Sequence, residues 1–128
     1  MRLMPTENAG TVFKICSSIE WRQAVESGVY AGSTDDARDG FIHLSTAEQL
    51  TGTLARHFAG RGDLLVIGFD ALALGTALRW EKSRGGALFP HLHGELPVRV
   101  ATGVWPVPLG PGGEHELPGH LKTGTAGA

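Results

Sequence analysis

The feature that most constrains this chain is a nearly continuous apolar run, Leu-Leu-Val-Ile-Gly-Phe, at residues 64–69. A strand with one face in water alternates between apolar and polar residues, and this run does not alternate. We therefore expect a central strand that is covered on both faces. The run is far below the ~20 apolar residues that span a bilayer. Because the first residues also lack a signal-peptide pattern, the chain is predicted to be cytoplasmic, with no membrane partner.

A strand followed by a helix is predicted at the start of the chain. Residues 12–16 are a five-residue apolar run with one lysine, which is typical of a strand. Residues 19–27 are good helix formers, with Ser17 or Ser18 as the N-cap and a glycine as the stop. Residues 29–39 carry turn-forming side chains and are predicted to be a surface loop.

A second strand and helix follow this loop. Residues 41–44 alternate as a strand does, with Phe41 and His43 on one face. Two overlapping residue pairs behind the strand have capping-box spacing, so a helix is predicted over residues 47–59. Its apolar stripe is Leu50, Leu54 and either His57 or Phe58, and the two capping pairs are Ser45 with Glu48 and Thr46 with Gln49.

The pattern after the central strand predicts short elements joined by short links. These are one helical turn at residues 70–75, a strand at 77–81, a packed loop at 82–97 and a last strand at 98–105. Short links suit antiparallel pairing, and two helices are too few to cover both faces of a parallel sheet. We therefore predict an α+β fold.

Glycine and proline are abundant, with 19 and 7 of the 128 residues, so much of the chain is predicted to be turns, loops or tails. The length predicts one domain, at residues 11–108. Residues 1–10 have no periodicity and are predicted to fray. Residues 109–128 are rich in glycine and proline and are predicted to form a disordered tail outside the core.

Charge and cysteine content exclude several classes of function. The formal net charge is −2, which lacks the strongly basic character of a duplex-DNA-binding protein. The single cysteine, Cys16, forms no internal disulfide, and within an apolar strand it is interpreted as a small buried side chain rather than a nucleophile. The phosphate-binding P-loop, the GxGxxG turn and the GxSxG elbow are absent from the sequence.

The first candidate site is His43, which precedes a helix start at Ser45 and Thr46. Free backbone N–H groups and the helix dipole favour an anion there, so these residues are predicted to contact a phosphate or a ribose. The alternative is structural: Ser45 and Thr46 only cap the helix, and His43 is a half-buried framework residue.

The second candidate site is the segment from Trp80 to Gly86. It joins a carboxylate, a hydroxyl and a guanidinium to two glycines that allow a ligand to approach the backbone closely. These residues are Glu81, Ser83, Arg84, Gly85 and Gly86. The alternative is an ion pair between Glu81 and Arg84 that only holds the loop.

His91 and His93 have the spacing that places two imidazoles on one face of a strand. Metal sites often use such a pair, but no third or fourth ligand stands at a telling distance in the sequence. We therefore predict no metal site and retain His91 as a ligand-binding candidate.

Two long motifs resemble a known family. They are residues 39–49, Asp-Gly-Phe-Ile-His-Leu-Ser-Thr-Ala-Glu-Gln, and residues 80–97, which begin Trp-Glu-Lys-Ser-Arg-Gly-Gly. Together they closely resemble the family called domain of unknown function 952, over about residues 12–107. That family resembles a compact ADP-ribosyltransferase, and more distantly the RNA 2′-phosphotransferases. The resemblance implies two small, mainly antiparallel half-sheets and two helices that form a cleft able to grip NAD.

The resemblance also implies roles for the candidate residues. Glu81 would stabilise the positive charge that develops at the ribose when the bond to nicotinamide breaks, with Arg84 on the diphosphate and with His43 and Ser45 on the ribose. One hypothesis is therefore a transferase that acts on NAD or on a phosphorylated or ADP-ribosylated ribose. A second is a non-catalytic module that binds a nucleotide or small anion, and a third is a protein-interaction module that uses residues 88–91.

Overall fold

The protein has an α+β fold built from three antiparallel sheets, in a computed structural model that describes residues 10–121. The strands are β1 (Thr11–Ser17), β2 (Val29–Tyr30), β3 (Ile42–His43), β4 (Leu64–Asp70), β5 (Leu78–Lys82), β6 (Leu88–Leu92), β7 (Leu96–Pro97) and β8 (Ala101–Val107). The α-helices are α1 (Ser18–Ser27), α2 (Thr34–Asp39), α3 (Leu50–His57) and α4 (Ala71–Leu74). The predicted α+β class is thus confirmed, whereas the predicted frayed segment lies outside the described residues apart from Gly10.

The first sheet has the order β1-β4-β8, with both neighbours antiparallel to β4. Val66 and Ile67 on β4 have no solvent exposure. Side chains of β1 alternate between two cores: Val12 packs in one cluster and Phe13 in the other. The prediction of a central strand that is covered on both faces is therefore confirmed.

The other two sheets include strands that the sequence pattern did not predict. Their orders are β2-β7 and β3-β6-β5. Residues 82–97 were predicted as a packed loop, which is wrong because they contain β6 and β7. Pro90 argued against a strand, since proline cannot donate to a ladder. Strand β3 is only two residues long, and Pro90 lies opposite Leu44, just beyond the end of β3. The N–H that proline lacks is therefore not needed for pairing within β3. The carbonyl of Pro90 still accepts a hydrogen bond from Leu44 N–H (3.0 Å).

The helices begin at side-chain caps. Ser17, rather than Ser18, caps α1 in a capping box with Glu20. Thr46 and Gln49 form the capping box of the 3₁₀ turn that leads into α3. The predicted surface loop at residues 29–39 is wrong, because it contains β2 and α2. Ser33 caps α2 and forms a capping box with Asp36, and the three-residue spacing of this pair is visible in the sequence.

The segment after Leu109 contributes to the core as far as the structure describes it. Leu117 and Leu121 are buried among side chains of β1, β4 and α3. A backbone bridge between Leu109 and His115 turns the chain back over this core. The prediction of a disordered tail is therefore wrong up to Leu121, because two leucines suffice to dock a segment of otherwise polar and glycine-rich composition. Residues 122–128 lie outside the described range.

No helix within residues 10–121 combines the length and the apolar character that crossing a membrane requires.

Candidate functional site

A pocket of about 400 Å³ opens between α2, the end of β3 and α3. This volume lies within the range of ~300–1,000 Å³ that small-molecule sites occupy. Its apolar lining includes Phe13 and Phe58, whereas its polar lining carries hydroxyl, imidazole, guanidinium and carboxylate groups. Such a mixture suits a small polar ligand that is partly buried.

The pocket is organised around a buried carboxylate, that of Asp36. Its Oδ2 accepts hydrogen bonds from Lys14 Nζ (2.8 Å) and Ser33 N (2.9 Å). Its Oδ1 accepts hydrogen bonds from the backbone N (3.1 Å) and the ring Nδ1 (2.6 Å) of His43. Burial alone would raise the pKa of Asp36, but the hydrogen bond from His43 and the charge of Lys14 outweigh it and hold the pKa well below its usual value.

The imidazole of His43 lies between two carboxylates. An ionised carboxylate only accepts, so Asp36 fixes Nδ1 as a donor, and Nε2 lies 2.9 Å from Asp39 Oδ2. Arg38 also binds Asp39 (3.0 Å), and this hydrogen bond lowers the pKa of Asp39. Asp39 is about one-third exposed, whereas Asp36 is buried, so Asp39 is the partner that a ligand can displace.

The opposite wall of the pocket is one face of the 3₁₀ turn and α3. Ser45 and Thr53 place two hydroxyl groups 3.2 Å apart in it. Gly52 lines the same pocket, and a Cβ there would meet no atom within 4 Å, so the missing side chain leaves room. Arg56 lines the same wall from the last turn of α3.

A second polar cluster lies on the adjacent face of the β3-β6-β5 sheet. Glu81 Oε1 accepts hydrogen bonds from His91 Nδ1 (2.8 Å) and His93 Nε2 (3.0 Å). These hydrogen bonds, first that from His93, lower the pKa of Glu81. The ring of Phe41 stacks on His91 with centroids 4.1 Å apart and also contacts His43 at 4.7 Å. Phe41 therefore joins this cluster to the pocket.

The structure divides the residues predicted from the sequence into three places. His43, Ser45 and Ser83 line the pocket. Glu81 and His91 lie beside it, across Phe41. The Thr46 hydroxyl caps the helix, and Arg84, Gly85 and Gly86 lie in the turn between β5 and β6, with both glycines at positive φ.

Metal binding has no support in the described part of the chain. Within residues 10–121, no group of three or more histidine, cysteine, aspartate or glutamate side chains is arranged to hold a metal ion. His91 and His93 instead share one carboxylate oxygen as donors. The pair that resembled a metal motif is therefore part of a hydrogen-bonded cluster.

The residues of the site that were missed in the sequence include three charged ones. Lys14 stood out as the one charge in an apolar strand, and Asp36 stood at capping-box distance from Ser33. Either signal points to a buried polar group, although neither identifies its partner. Arg56 carried no signal beyond its place in the last turn of a predicted helix.

Comparison with known protein families identifies the chain. The family described as "Protein of unknown function (DUF952)" matches residues 15–104. The chain belongs to the DUF952 family. This match includes His43, Ser45 and Arg56 of the pocket and the whole Glu81 cluster. A search of curated proteins found no match.

Solved structures of one bacterial protein closely match the fold. A crystal structure of protein CC0527 from Caulobacter crescentus is 42% identical, covers 87% of this chain and 97% of its own, and has a TM-score of 0.83. A solution NMR structure of the same protein, also 42% identical, covers 84% of this chain and 93% of its own, with a TM-score of 0.77. This DUF952 chain is therefore similar in fold to CC0527 over nearly its whole described length.

Proposed function

We propose that the pocket binds a phosphorylated ribose, as it occurs in NAD, in ADP-ribosyl groups and in phosphorylated nucleotides, and that the protein is a transferase acting at that ribose. One observation carries this proposal. The guanidinium of Arg56 makes no ion pair or hydrogen bond within residues 10–121, and it lines the same pocket as an imidazole held by a buried carboxylate.

The charges around the pocket support an anionic ligand near Arg56. Lys14 is neutralised by Asp36, and Arg38 is bound to Asp35 and Asp39. Glu48 also lines the pocket, and within residues 10–121 it forms no ion pair with Arg56. Arg56 is thus left to bind a phosphate, and guanidinium matches phosphate geometry well.

The hydroxyl-bearing part of the ligand would lie between His43 and the hydroxyl groups of Ser45 and Thr53. In transfer from NAD, the bond between the ribose C1′ and the nicotinamide nitrogen breaks, and nicotinamide leaves with the electron pair. The acceptor oxygen bonds to C1′ and gives its proton to His43 Nε2, once that nitrogen has left Asp39 and the imidazole carries a single proton, on Nδ1. Glu81 would stabilise the developing positive charge of a ligand that extends from the pocket across Phe41.

On this proposal, the β1-β4-β8 and β3-β6-β5 sheets are the two half-sheets of an ADP-ribosyltransferase-like cleft. Both are antiparallel and contribute to the pocket, the first through Phe13 and Lys14 and the second through His43 and Phe89. A pocket bordered by two sheets suits a ligand with two parts, such as a dinucleotide.

A binding module without catalysis is the second candidate, and one observation favours it. Both ring nitrogens of His43 lie within 3 Å of carboxylate oxygens, and Glu81 is bound by two histidines. Each group that would move a proton or stabilise charge is therefore already occupied. In this case the pocket binds the same ligand and releases it unchanged.

Titration of the ¹⁵N-labelled protein distinguishes the transferase from the binding module. NAD, ADP-ribose, ribose 5-phosphate and inorganic phosphate are added in turn, amide shifts are followed, and free nicotinamide is measured. We expect shifts near His43 and Arg56 that are lost in Arg56→Ala and kept in Arg22→Ala, an exposed arginine on α1 outside the pocket. Nicotinamide release identifies a transferase or hydrolase, and shifts without release identify a binding module. Absence of shifts with all four compounds at millimolar concentration would overturn the proposal.

Blocking the pocket is an independent test. Gly52→Val places a branched side chain where a Cβ alone meets no atom, so the helix is kept while the pocket is filled. We expect binding of ribose 5-phosphate to be lost while the melting temperature changes little. Unchanged binding in a folded Gly52→Val variant would show that the ligand lies elsewhere.

A further inference from the structure

Strand β5 is an open edge of the β3-β6-β5 sheet. Within residues 10–121 it pairs only with β6. Trp80, in its middle, is 47% exposed, and Leu88, which pairs with Lys82 on the same hairpin, is 52% exposed. An edge strand with large exposed apolar side chains is a template for pairing with another strand.

The backbone hydrogen bonds show which groups are free at this edge. His93 N–H donates to Ala77 O (2.8 Å), and Ser83 N–H donates to Ala87 O (2.9 Å), so the odd-numbered residues of β5 point their backbone groups towards β6. The N–H and C=O groups of the even-numbered residues therefore point outward. These residues are Leu78, Trp80 and Lys82.

We propose that β5 pairs antiparallel with β5 of a second copy of this chain, around a twofold axis that passes between the two Trp80 residues. In this pairing the two Trp80 residues, one from each copy, form a hydrogen-bonded pair across the axis. Leu78 of each copy pairs with Lys82 of the other. Each outward N–H and C=O of the three residues then finds a partner. The sheet becomes a continuous six-stranded sheet.

Charge complementarity identifies the second copy as the occupant. In this register, Arg79 lies opposite Glu81 of the other copy, and the symmetry repeats the contact. These are non-hydrogen-bonded pairs, in which facing side chains approach most closely. On the opposite face, the two Trp80 side chains lie opposite each other, and the aliphatic part of each Lys82 lies between Leu88 of its own copy and Leu78 of the other. The sequence Leu-Arg-Trp-Glu-Lys at residues 78–82 is thus complementary to itself in both charge and apolar surface.

The pairing would also complete the polar cluster beside the pocket. Glu81 binds His91 and His93 through Oε1, and the guanidinium of Arg79 from the second copy would approach the same carboxylate. Each protomer would then contribute one cation to the other's cluster. Because only five residues pair on each side, the buried area is below that of a standard interface, and we expect a dimer that dissociates on dilution.

Sedimentation equilibrium of the full chain, from micromolar to millimolar concentration, is the test. We expect a concentration-dependent dimer that Arg79→Glu and Glu81→Arg each weaken about tenfold, because each places like charges opposite one another twice. An equimolar mixture of the two variants restores both attractive pairs in a heterodimer and should associate as tightly as the wild type. Arg22→Glu, with the same change of charge on α1, should associate normally.

Trp80→Pro is a second test of the dimer, and it leaves Glu81 unchanged. Its lost N–H points outward and is not used in the β5–β6 hairpin, so the fold is kept while the dimer is lost. A chain that stays monomeric at millimolar concentration overturns the proposal. A dimer that Arg79→Glu and Trp80→Pro leave unchanged also overturns it, because another surface must then be used.

Discussion

Replacing Asp36 by asparagine tests the network that holds His43 in the pocket. Each carboxylate oxygen of Asp36 accepts two hydrogen bonds: Oδ1 from His43, and Oδ2 from Lys14 and Ser33. An asparagine amide presents its NH₂ group to two of these donors in either orientation. The variant also leaves the ammonium of Lys14 buried without its counter-charge.

The expected loss of stability is large because both partners are buried. The side chains of Lys14 and Asp36 are 7% and 2% exposed. Removing one partner of such a pair typically costs ~3–5 kcal/mol. We therefore expect Asp36→Asn to lower the free energy of unfolding by about 4 kcal/mol at neutral pH. With a urea m-value of about 2 kcal/mol/M, the unfolding midpoint falls by about 2 M.

Urea unfolding followed by tryptophan fluorescence measures this loss, and Asp35→Asn is the matched control. Asp35 is the preceding residue, its side chain is 68% exposed, and its ion pair with Arg38 is exposed as well. We expect this control to cost at most ~1 kcal/mol. Equal losses in the two variants would refute the reasoning, because burial of the carboxylate would then make no difference.

Three further predictions follow from burial and pKa. Because the pKa of Asp36 is lower in the folded state than its usual ~3.9, its contribution to stability is complete above that value and is lost as the pH falls below it. The urea midpoint of the wild type should therefore fall between about pH 5 and pH 2, and the midpoint of Asp36→Asn should fall less. An equal fall of the two midpoints over this pH range would contradict the prediction. The side chain of Leu121 is 1% exposed, so Leu121→Ala should lower the free energy of unfolding in urea by ~2–5 kcal/mol. Leu109 is 37% exposed, so Leu109→Ala should lower it clearly less. Equal losses would place Leu121 outside the core. Burial raises the pKa of Cys16 to about 12, so a thiol reagent at pH 8 should label it only after unfolding, and rapid labelling of the native protein would contradict its burial.

The fold was predictable where the local pattern decides the structure. The apolar run of β4 indicated a central strand, and a serine N-cap before a run of good helix formers indicated the start of α1. Strand β6 was missed because Pro90 conceals it, and the fold tolerates this proline only because β3 is so short. The docking of Leu121 was missed because its neighbours have the composition of a tail.

The candidate site was only partly predictable, for a related reason. His43 and Ser45 are close in the sequence, so their common place in the pocket follows from one strand and one turn. Lys14 and Asp36 are 22 residues apart, and no local periodicity shows that they meet. Glu81 was placed with His43 by resemblance, and the structure sets it one aromatic ring away from the pocket.

The strand order β1-β4-β8 has a consequence for biosynthesis. β1 can pair with β4 as soon as both have emerged from the ribosome, but the second edge of β4 stays open until β8 has been made. During that interval the growing chain exposes its most apolar strand, with unpaired backbone groups along one side. We expect this stage, rather than the finished protein, to be where chaperones bind and where aggregation competes with folding.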